Sequence, residues 1–129
     1  MIVLDTHAWL WWLSAPEKLS PPAREALRQS PAVGVSTLSV WEIGMLVQRG
    51  RIALDRDVRD WVRSAFNSSA TAPLAPDPDV ALAAASLSAR DFPGDPADRF
   101  IYATARSLNA PLLTRDERIR HFDPEGTIW

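Results

Sequence analysis

Four acidic residues occupy positions from which their carboxylates can act on one ligand: Asp5, Glu42, Asp98 and Asp116. Asp5 directly follows the short apolar run at 2–4, and Asp116 comes soon after the run at 111–114. Several carboxylates at one site repel each other, so such a cluster requires raised pKa values or bound divalent cations. Oxygen ligands in a chain without cysteine suit Mg²⁺ or Mn²⁺ better than zinc. The residue types therefore predict a magnesium or manganese site.

Each of these acids also has a structural interpretation. Asp5 can cap the helix that follows the first predicted strand, and Asp116 can begin a last short helix. Glu42 lies three residues after Ser39, a spacing typical of a capping box, but it is the only acid on an otherwise apolar helix face. Where an acid lies next to a strand end, its position favours the functional interpretation.

The segment "PGDPADRFIYATA" at 93–105 contains two acids three residues apart. Asp95 precedes a proline, and this pair is typical of a helix N-cap followed by the first helical residue. Asp98 then falls in the first helical turn, where an acid also interacts favourably with the helix dipole. The local pattern predicts a capping role for Asp95 and leaves both interpretations of Asp98 open.

Short apolar strands alternate with helices along the chain. Strands are predicted at 2–4, 33–36 and 111–114, with shorter ones around Leu74 and at 126–129. Helices are predicted at 6–13, 23–30, 38–50, 55–66, 79–90, from the segment at 93–105 to Leu108, and at 115–122. This alternation predicts an α/β fold, a three-layer α/β/α sandwich with a mainly parallel central sheet. Ligands of such folds bind outside the carboxyl ends of the strands.

Composition bounds the class of protein. The 129 residues fit one domain over 1–129, and the 47% hydrophobic content is that of an ordinary globular protein. The apolar start lacks a basic leader region, and no apolar run is long enough for a membrane span, so we expect a cytoplasmic protein. The net charge of −2 does not indicate a protein that binds nucleic acid by global charge alone.

The first helix carries an unusual aromatic cluster. Trp9, Trp11 and Trp12 cannot all face the core, so we expect at least one of them to meet a partner surface. His7 is interpreted as a packing or supporting group rather than a metal ligand. Thr6 can cap the helix or hydrogen-bond a metal ligand.

Four blocks resemble the motifs of PIN domains, in particular the VapC-like ribonuclease toxins of bacterial type II toxin–antitoxin systems. The blocks are "IVLDTHAWLWWL", "STLSVWEIGML", "DPADRFIYATA" and "LLTRDERI", and they run in order from residue 2 to about residue 119. The resemblance implies a metal-dependent endoribonuclease that hydrolyses RNA phosphodiester bonds with Mg²⁺ or Mn²⁺. Its implied catalytic and metal-binding residues are Asp5, Glu42, Asp98 and Asp116, with Thr6 and Asp95 supporting them.

Substrate and partners follow from the same resemblance. Transfer or ribosomal RNA is the implied substrate, and Arg99 and Arg115, which neighbour two of the acids, are candidates to contact its backbone. The resemblance also implies a VapB-like antitoxin and a homodimer. We expect the antitoxin to contact the exposed part of the Trp9–Trp12 cluster. No membrane partner is expected.

Three other classes of protein share part of this pattern. Phosphoaspartyl phosphatases and receiver domains need a second aspartate where His7 stands, or a late lysine, whereas the only lysine is Lys18. A non-catalytic PIN-like module that binds RNA or protein remains the alternative. A DNA 5′-nuclease would need a helical clamp that this length does not provide.

Overall fold

A computed structural model describes residues 1–68, 70–92 and 94–129. In these ranges the chain forms five strands: β1 (Ile2–Leu4), β2 (Val33–Ser36), β3 (Thr71–Leu74), β4 (Leu112–Leu113) and β5 (Thr127–Ile128). Seven α-helices accompany them: α1 (Thr6–Ser14), α2 (Pro21–Gln29), α3 (Thr37–Gln48), α4 (Val58–Ser68), α5 (Pro78–Ser86), α6 (Pro96–Ser107) and α7 (Glu117–Phe122). A single 3₁₀ turn, Pro16–Lys18, separates α1 from α2.

The strands form one fully parallel sheet in the order β3-β2-β1-β4-β5. The central strand β1 pairs with β2 on one side and with β4 on the other. Because all strands run the same way, the residues that follow β1, β2 and β4 emerge at one edge of the sheet. The predicted parallel α/β fold is confirmed.

Alternation along β1 divides the core into two layers. Ile2 and Leu4 belong to a core shared with Trp9, whereas Val3 belongs to a second core shared with Ile101. Adjacent residues of a strand point to opposite faces of a sheet. Helices therefore cover both faces, α1 on one and α6 on the other, and the sandwich has the three predicted layers.

Local sequence explains most helix starts. Ser20 caps α2 ahead of two prolines, so α2 begins at Pro21 rather than at the predicted residue 23. The Asp57 carboxylate accepts a hydrogen bond from the Arg59 backbone, and α4 begins after it rather than at residue 55. Helix α3 ends at Gln48, just before Gly50, which has φ +68°.

The largest error in the predicted elements concerns α5, which ends at Ser86 and not at residue 90. After Ser86 the chain turns, and the side chain of Phe92 becomes fully buried in the second core. Phe92 therefore contributes to the core from a turn rather than as part of a helix. The polar, proline-containing sequence at 67–77 predicts a loop, which includes Ser69, and the segment at 93–105 includes Pro93. Both residues lie outside the described part of the chain.

Candidate functional site

An open cleft of about 460 Å³ lies at the edge where the strands end. Acidic side chains dominate its lining, with one cation and two rings beside them: Asp5, Glu42, Asp95, Asp98, Asp116, Arg115, His7 and Trp11. All four acids proposed as ligands are therefore brought together, although they come from four separate segments of the chain. A larger cleft, lined by residues such as Leu54 and Trp61, contains none of these acids.

Asp5 has two roles in the structure. Its backbone ends β1, and its Oδ1 accepts a hydrogen bond of 2.8 Å from the backbone N–H of Ala8, so it caps α1. Burial raises the pKa of Asp5, and the nearby charge of Glu42 raises it further. Hydrogen bonds from Thr114 and Ala8 oppose this rise. Asp5 is thus both a cap and a member of the cleft, and the two interpretations of this residue are compatible.

Asp98 has the clearest electrostatic signature in the cleft. Burial, together with the negative charges of Asp95, Glu42, Asp5 and Asp116, raises its pKa to about 7. A carboxylate in such surroundings favours a proton or a cation. The pKa of Asp98 therefore reports that the acids lie close enough together to repel each other.

The capping prediction for Asp95 is confirmed. Its Oδ1 accepts a hydrogen bond of 2.9 Å from the backbone N–H of Ala97, and Pro96 is the first residue of α6. Asp98 is the third residue of the same helix, and its carboxylate lines the cleft. Asp95 also lines the cleft, so it contributes negative charge to the site as well as ordering the helix.

Glu42 lies further from the start of its helix than the predicted capping box would place it. Helix α3 begins at Thr37, because the Ser36 hydroxyl caps it by accepting a 3.1 Å hydrogen bond from Leu38 N. The predicted capping box between Ser39 and Glu42 is therefore wrong. Ser39 is fully buried, and its Oγ accepts a 3.0 Å hydrogen bond from the hydroxyl of Thr6.

Three buried hydroxyl groups connect the segments that carry the acids. The Thr6–Ser39 hydrogen bond joins the start of α1 to α3, and thus the element of Asp5 to that of Glu42. Thr114 bonds the Asp5 carboxylate, and its Oγ1 accepts a 3.0 Å hydrogen bond from the backbone N–H of Asp116. Sequence reasoning missed Thr114 and misassigned Ser39. The available sequence signal for Thr114 was a polar residue at the end of an otherwise apolar predicted strand, and the structure shows it fully buried.

Asp116 is the N-cap of α7. Its Oδ1 accepts hydrogen bonds from the backbone N–H groups of Arg118 and Ile119, at 2.8 and 3.2 Å. The side chain is half-buried and lines the cleft. Like Asp5 and Asp95, it is held by the helix whose start it stabilises.

The two arginines predicted to contact substrate have different positions. Arg115 lines the cleft and is exposed. Arg99 does not line the cleft: its Nη1 donates to the carbonyl oxygens of Leu87 and Ala84, at 2.8 and 3.3 Å. These carbonyls lie at the end of α5, where helical acceptors lack partners. Arg99 thus ties α6 to the end of α5, and its contact with substrate stays a prediction.

The acids do not form a closed metal site in the described conformation. Across residues 1–68, 70–92 and 94–129, no three acidic or histidine side chains are already grouped at metal-binding distance. The donor set itself is carboxylate oxygen throughout, which suits Mg²⁺ or Mn²⁺. The raised pKa of Asp98 shows like charges that a divalent cation would neutralise. The residues present therefore fit such a cation in their chemistry.

Comparison with known proteins places this fold and site in a family. The PIN domain model matches residues 2–124. The chain belongs to the PIN domain family. It is 36% identical to Ribonuclease VapC22 of Mycobacterium tuberculosis, over 99% of this chain and 98% of that protein.

Two solved structures with a similar fold come from toxin–antitoxin systems. A toxin–antitoxin complex from Klebsiella pneumoniae superposes with a TM-score of 0.71, at 18% identity, over 100% of this chain and 97% of its own. VapBC2 from Rickettsia felis, bound to a promoter DNA fragment, gives 0.70 at 12% identity, over 98% and 97%. At these identities the structures establish the PIN fold independently of the sequence match.

No helix in the part of the chain that the structure describes has both the length and the apolar character needed to cross a bilayer.

Proposed function

We propose that this protein is a metal-dependent endoribonuclease, the toxin of a VapBC-type toxin–antitoxin pair, carried by a single domain over residues 1–129. The observation that carries the proposal is the convergence of Asp5, Glu42, Asp98 and Asp116 on one cleft of a PIN domain. The ribonuclease class is supported by the relationship to Ribonuclease VapC22 over nearly the full length of both chains.

The four acids would hold Mg²⁺ or Mn²⁺, with Asp5 and Asp98 as the central ligands. A divalent cation held there would lower the pKa of water and would neutralise negative charge on a phosphate. The protein's part is to keep these carboxylates together. Helix caps fix Asp5 and Asp116, and the Thr114 hydroxyl connects them.

Arg115 is the proposed contact to the RNA backbone. It is exposed at the cleft, and a guanidinium group suits the two oxygens of a phosphate. Transfer RNA and ribosomal RNA are the proposed substrates. Loop shape rather than pairing would govern recognition of such targets.

The proposed partner is a VapB-like antitoxin, since two similar structures are toxin–antitoxin assemblies. We also propose a homodimer, which light scattering of the purified protein tests directly.

The deciding experiment is cleavage of total transfer and ribosomal RNA by the purified protein. The arms contain Mg²⁺, Mn²⁺ or EDTA, and the variants are Asp5→Asn, Asp98→Asn and, as a matched control, Asp123→Asn. Asparagine keeps the shape of the side chain and can still cap a helix. We expect cleavage only with metal, a loss in the first two variants and retention in the control.

Cleavage that persists in Asp5→Asn and Asp98→Asn would contradict the site assignment. Metal-promoted stabilisation gives a second readout that does not depend on activity. Mg²⁺ should raise the Tm of the wild type and of Asp123→Asn, and should raise that of Asp98→Asn much less. Binding of RNA without cleavage under any condition would favour the non-catalytic alternative.

A further inference from the structure

One side of the acidic cleft carries an aromatic and cationic group of residues centred on Trp11. We call it the aromatic rim, and it consists of His7, Trp11, Lys18, Arg115 and Trp129. The ring centroid of Trp11 lies 5.6 Å from that of His7 and 5.8 Å from that of Trp129. Two cations approach the same ring: Arg115 Cζ lies 5.6 Å and Lys18 Nζ 5.9 Å from its centroid. Four separate segments of the chain build this arrangement.

The positive charges of Lys18 and Arg115 are not neutralised by another side chain of the described residues. Within the described ranges, neither Lys18 nor Arg115 forms a salt bridge or a side-chain hydrogen bond. Other arginines are engaged, for example Arg28 with Glu25 and Arg106 with Asp123. Cation–π contacts position Lys18 and Arg115 without neutralising them, and both side chains are exposed. They are therefore free to meet an anion.

The rim is continuous with the acidic cleft. His7, Trp11 and Arg115 line the cleft together with the acids. A polymer whose phosphate reaches the acids must therefore pass beside these residues. Rings that offer stacking surface, next to cations that meet a backbone, form the usual combination for binding single-stranded nucleic acid. The rim offers this combination in a protein whose net charge is −2.

We propose that the aromatic rim binds one unpaired nucleotide of the RNA next to the phosphate that is cut. The base stacks against the rings of the rim, and its phosphate contacts Arg115 and Lys18. This assignment rests on the proposed ribonuclease function. It makes Trp11 a substrate-binding residue that also positions Arg115, and it favours RNA loops and unpaired regions over duplex.

The test uses the full chain and a short, unstructured RNA of mixed sequence, labelled for binding and for cleavage. The variants are Trp11→Ala, Trp11→Phe and Lys18→Gln. Trp41→Ala is the matched control, because Trp41 is an exposed tryptophan, 51% accessible, that does not line the cleft. Thermal unfolding of every variant checks that the fold is intact.

We expect Trp11→Ala to raise the Kd for this RNA and the KM for its cleavage by about 10-fold, the scale of one lost stacking contact. The change in kcat should be smaller than the change in KM. Trp11→Phe should restore most of the binding, because it keeps a ring. Lys18→Gln should weaken binding and reduce its dependence on salt concentration. Trp41→Ala should bind like the wild type.

Equal RNA binding by Trp11→Ala and the wild type overturns the proposal. So does a Trp11→Ala protein that loses only its affinity for the cognate antitoxin, since the rim would then be a protein interface. Failure of the proposed nuclease looks different: the wild type would bind RNA through Trp11 but never cut it. If Asp98→Asn loses cleavage but Trp11→Ala keeps the KM of the wild type, the nuclease proposal stands. Only the proposal for the aromatic rim is then overturned.

Discussion

Asp98 and Asp123 are both half-buried aspartates, and they lie in opposite electrostatic surroundings. Asp98 faces four other acids, and its pKa rises to about 7. Asp123 accepts hydrogen bonds from the hydroxyl of Tyr102 at 2.8 Å and the backbone N–H of Gly126 at 2.9 Å, and it lies 3.5 Å from Arg106. Among the described residues, Asp98 forms no salt bridge, whereas Asp123 is paired with the guanidinium of Arg106. The difference separates an acid that other acids surround from an acid that holds the fold together.

The contact partners explain what each aspartate does. Arg106 also donates to the carbonyl oxygens of Ala110 and Gly126, so the Asp123 group fixes the ends of α6, β4 and β5 to one another. Burial and the neighbouring carboxylate raise the pKa of Tyr102 to about 12, which keeps its hydroxyl protonated as a donor. Protein groups thus satisfy Asp123, whereas the acids around Asp98 leave it in need of a proton or a cation.

The largest expected difference is in activity. Asp98→Asn should lower the rate of RNA cleavage by at least about 100-fold, the scale seen when one group that stabilises a transition state is removed. Asp123→Asn should cleave at close to the wild-type rate well below its unfolding temperature. Single-turnover cleavage of one RNA by both variants makes the comparison. Equal losses in the two variants would remove the distinction between the two aspartates.

For the free energy of unfolding, the change at Asp123 should have the larger effect and the change at Asp98 the smaller one. Asp123→Ala removes the acceptor for Tyr102 and Gly126 and the partner of Arg106, so the free energy of unfolding should fall by about 2–4 kcal/mol. Asp98→Asn, measured without metal at pH 8, should not lower it. Urea unfolding followed by tryptophan fluorescence measures both. If Asp123→Ala is as stable as the wild type, its network is not structural.

The free energy of unfolding should also depend on pH through Asp98. Because the pKa of Asp98 is raised in the folded state, its favourable contribution is complete below the unfolded pKa of 3.8. That contribution is lost as the pH rises towards about 7. The metal-free wild type should therefore lose about 1–3 kcal/mol over this range relative to Asp98→Asn, after solvent screening of this partly exposed group. If the free energy of unfolding changes with pH in the same way in both proteins, the acids do not raise the pKa of Asp98.

The smallest effect is expected at Tyr102. Tyr102→Phe removes the hydroxyl that donates to Asp123 but keeps the ring, which packs 5.1 Å from Phe92 and 5.7 Å from Phe122 between centroids. The free energy of unfolding should fall by about 1 kcal/mol, the usual net value of one hydrogen bond. Combining this change with Asp123→Ala should cost little more than Asp123→Ala alone, since both remove the same contact.

The sequence was sufficient where the signal was local. Asp5 after an apolar strand and Asp95 before Pro96 identified a strand end and a helix start, and both were confirmed. The parallel sheet followed from alternation of strands and helices. The convergence of the acids could be predicted because parallel strands end at one edge.

Tertiary contacts decided what the sequence could not. The partners of Arg99 are the carbonyl groups of Ala84 and Leu87 at the end of α5, which stops before the predicted residue 90. Ser39 meets Thr6 from another helix, so a local capping pattern misassigned it. The two cations at Trp11 come from distant segments, and no local spacing indicates that they meet.

The order of the strands also bears on biosynthesis. The central strand β1 is made first, but β4, its partner on one side, is made near the end of the chain. Asp5 therefore acquires Asp98 and Asp116 as neighbours only after almost all of the described chain has left the ribosome. Contacts between such distant segments form late in folding. A growing chain therefore lacks the assembled acidic cleft until its last segments fold against its first.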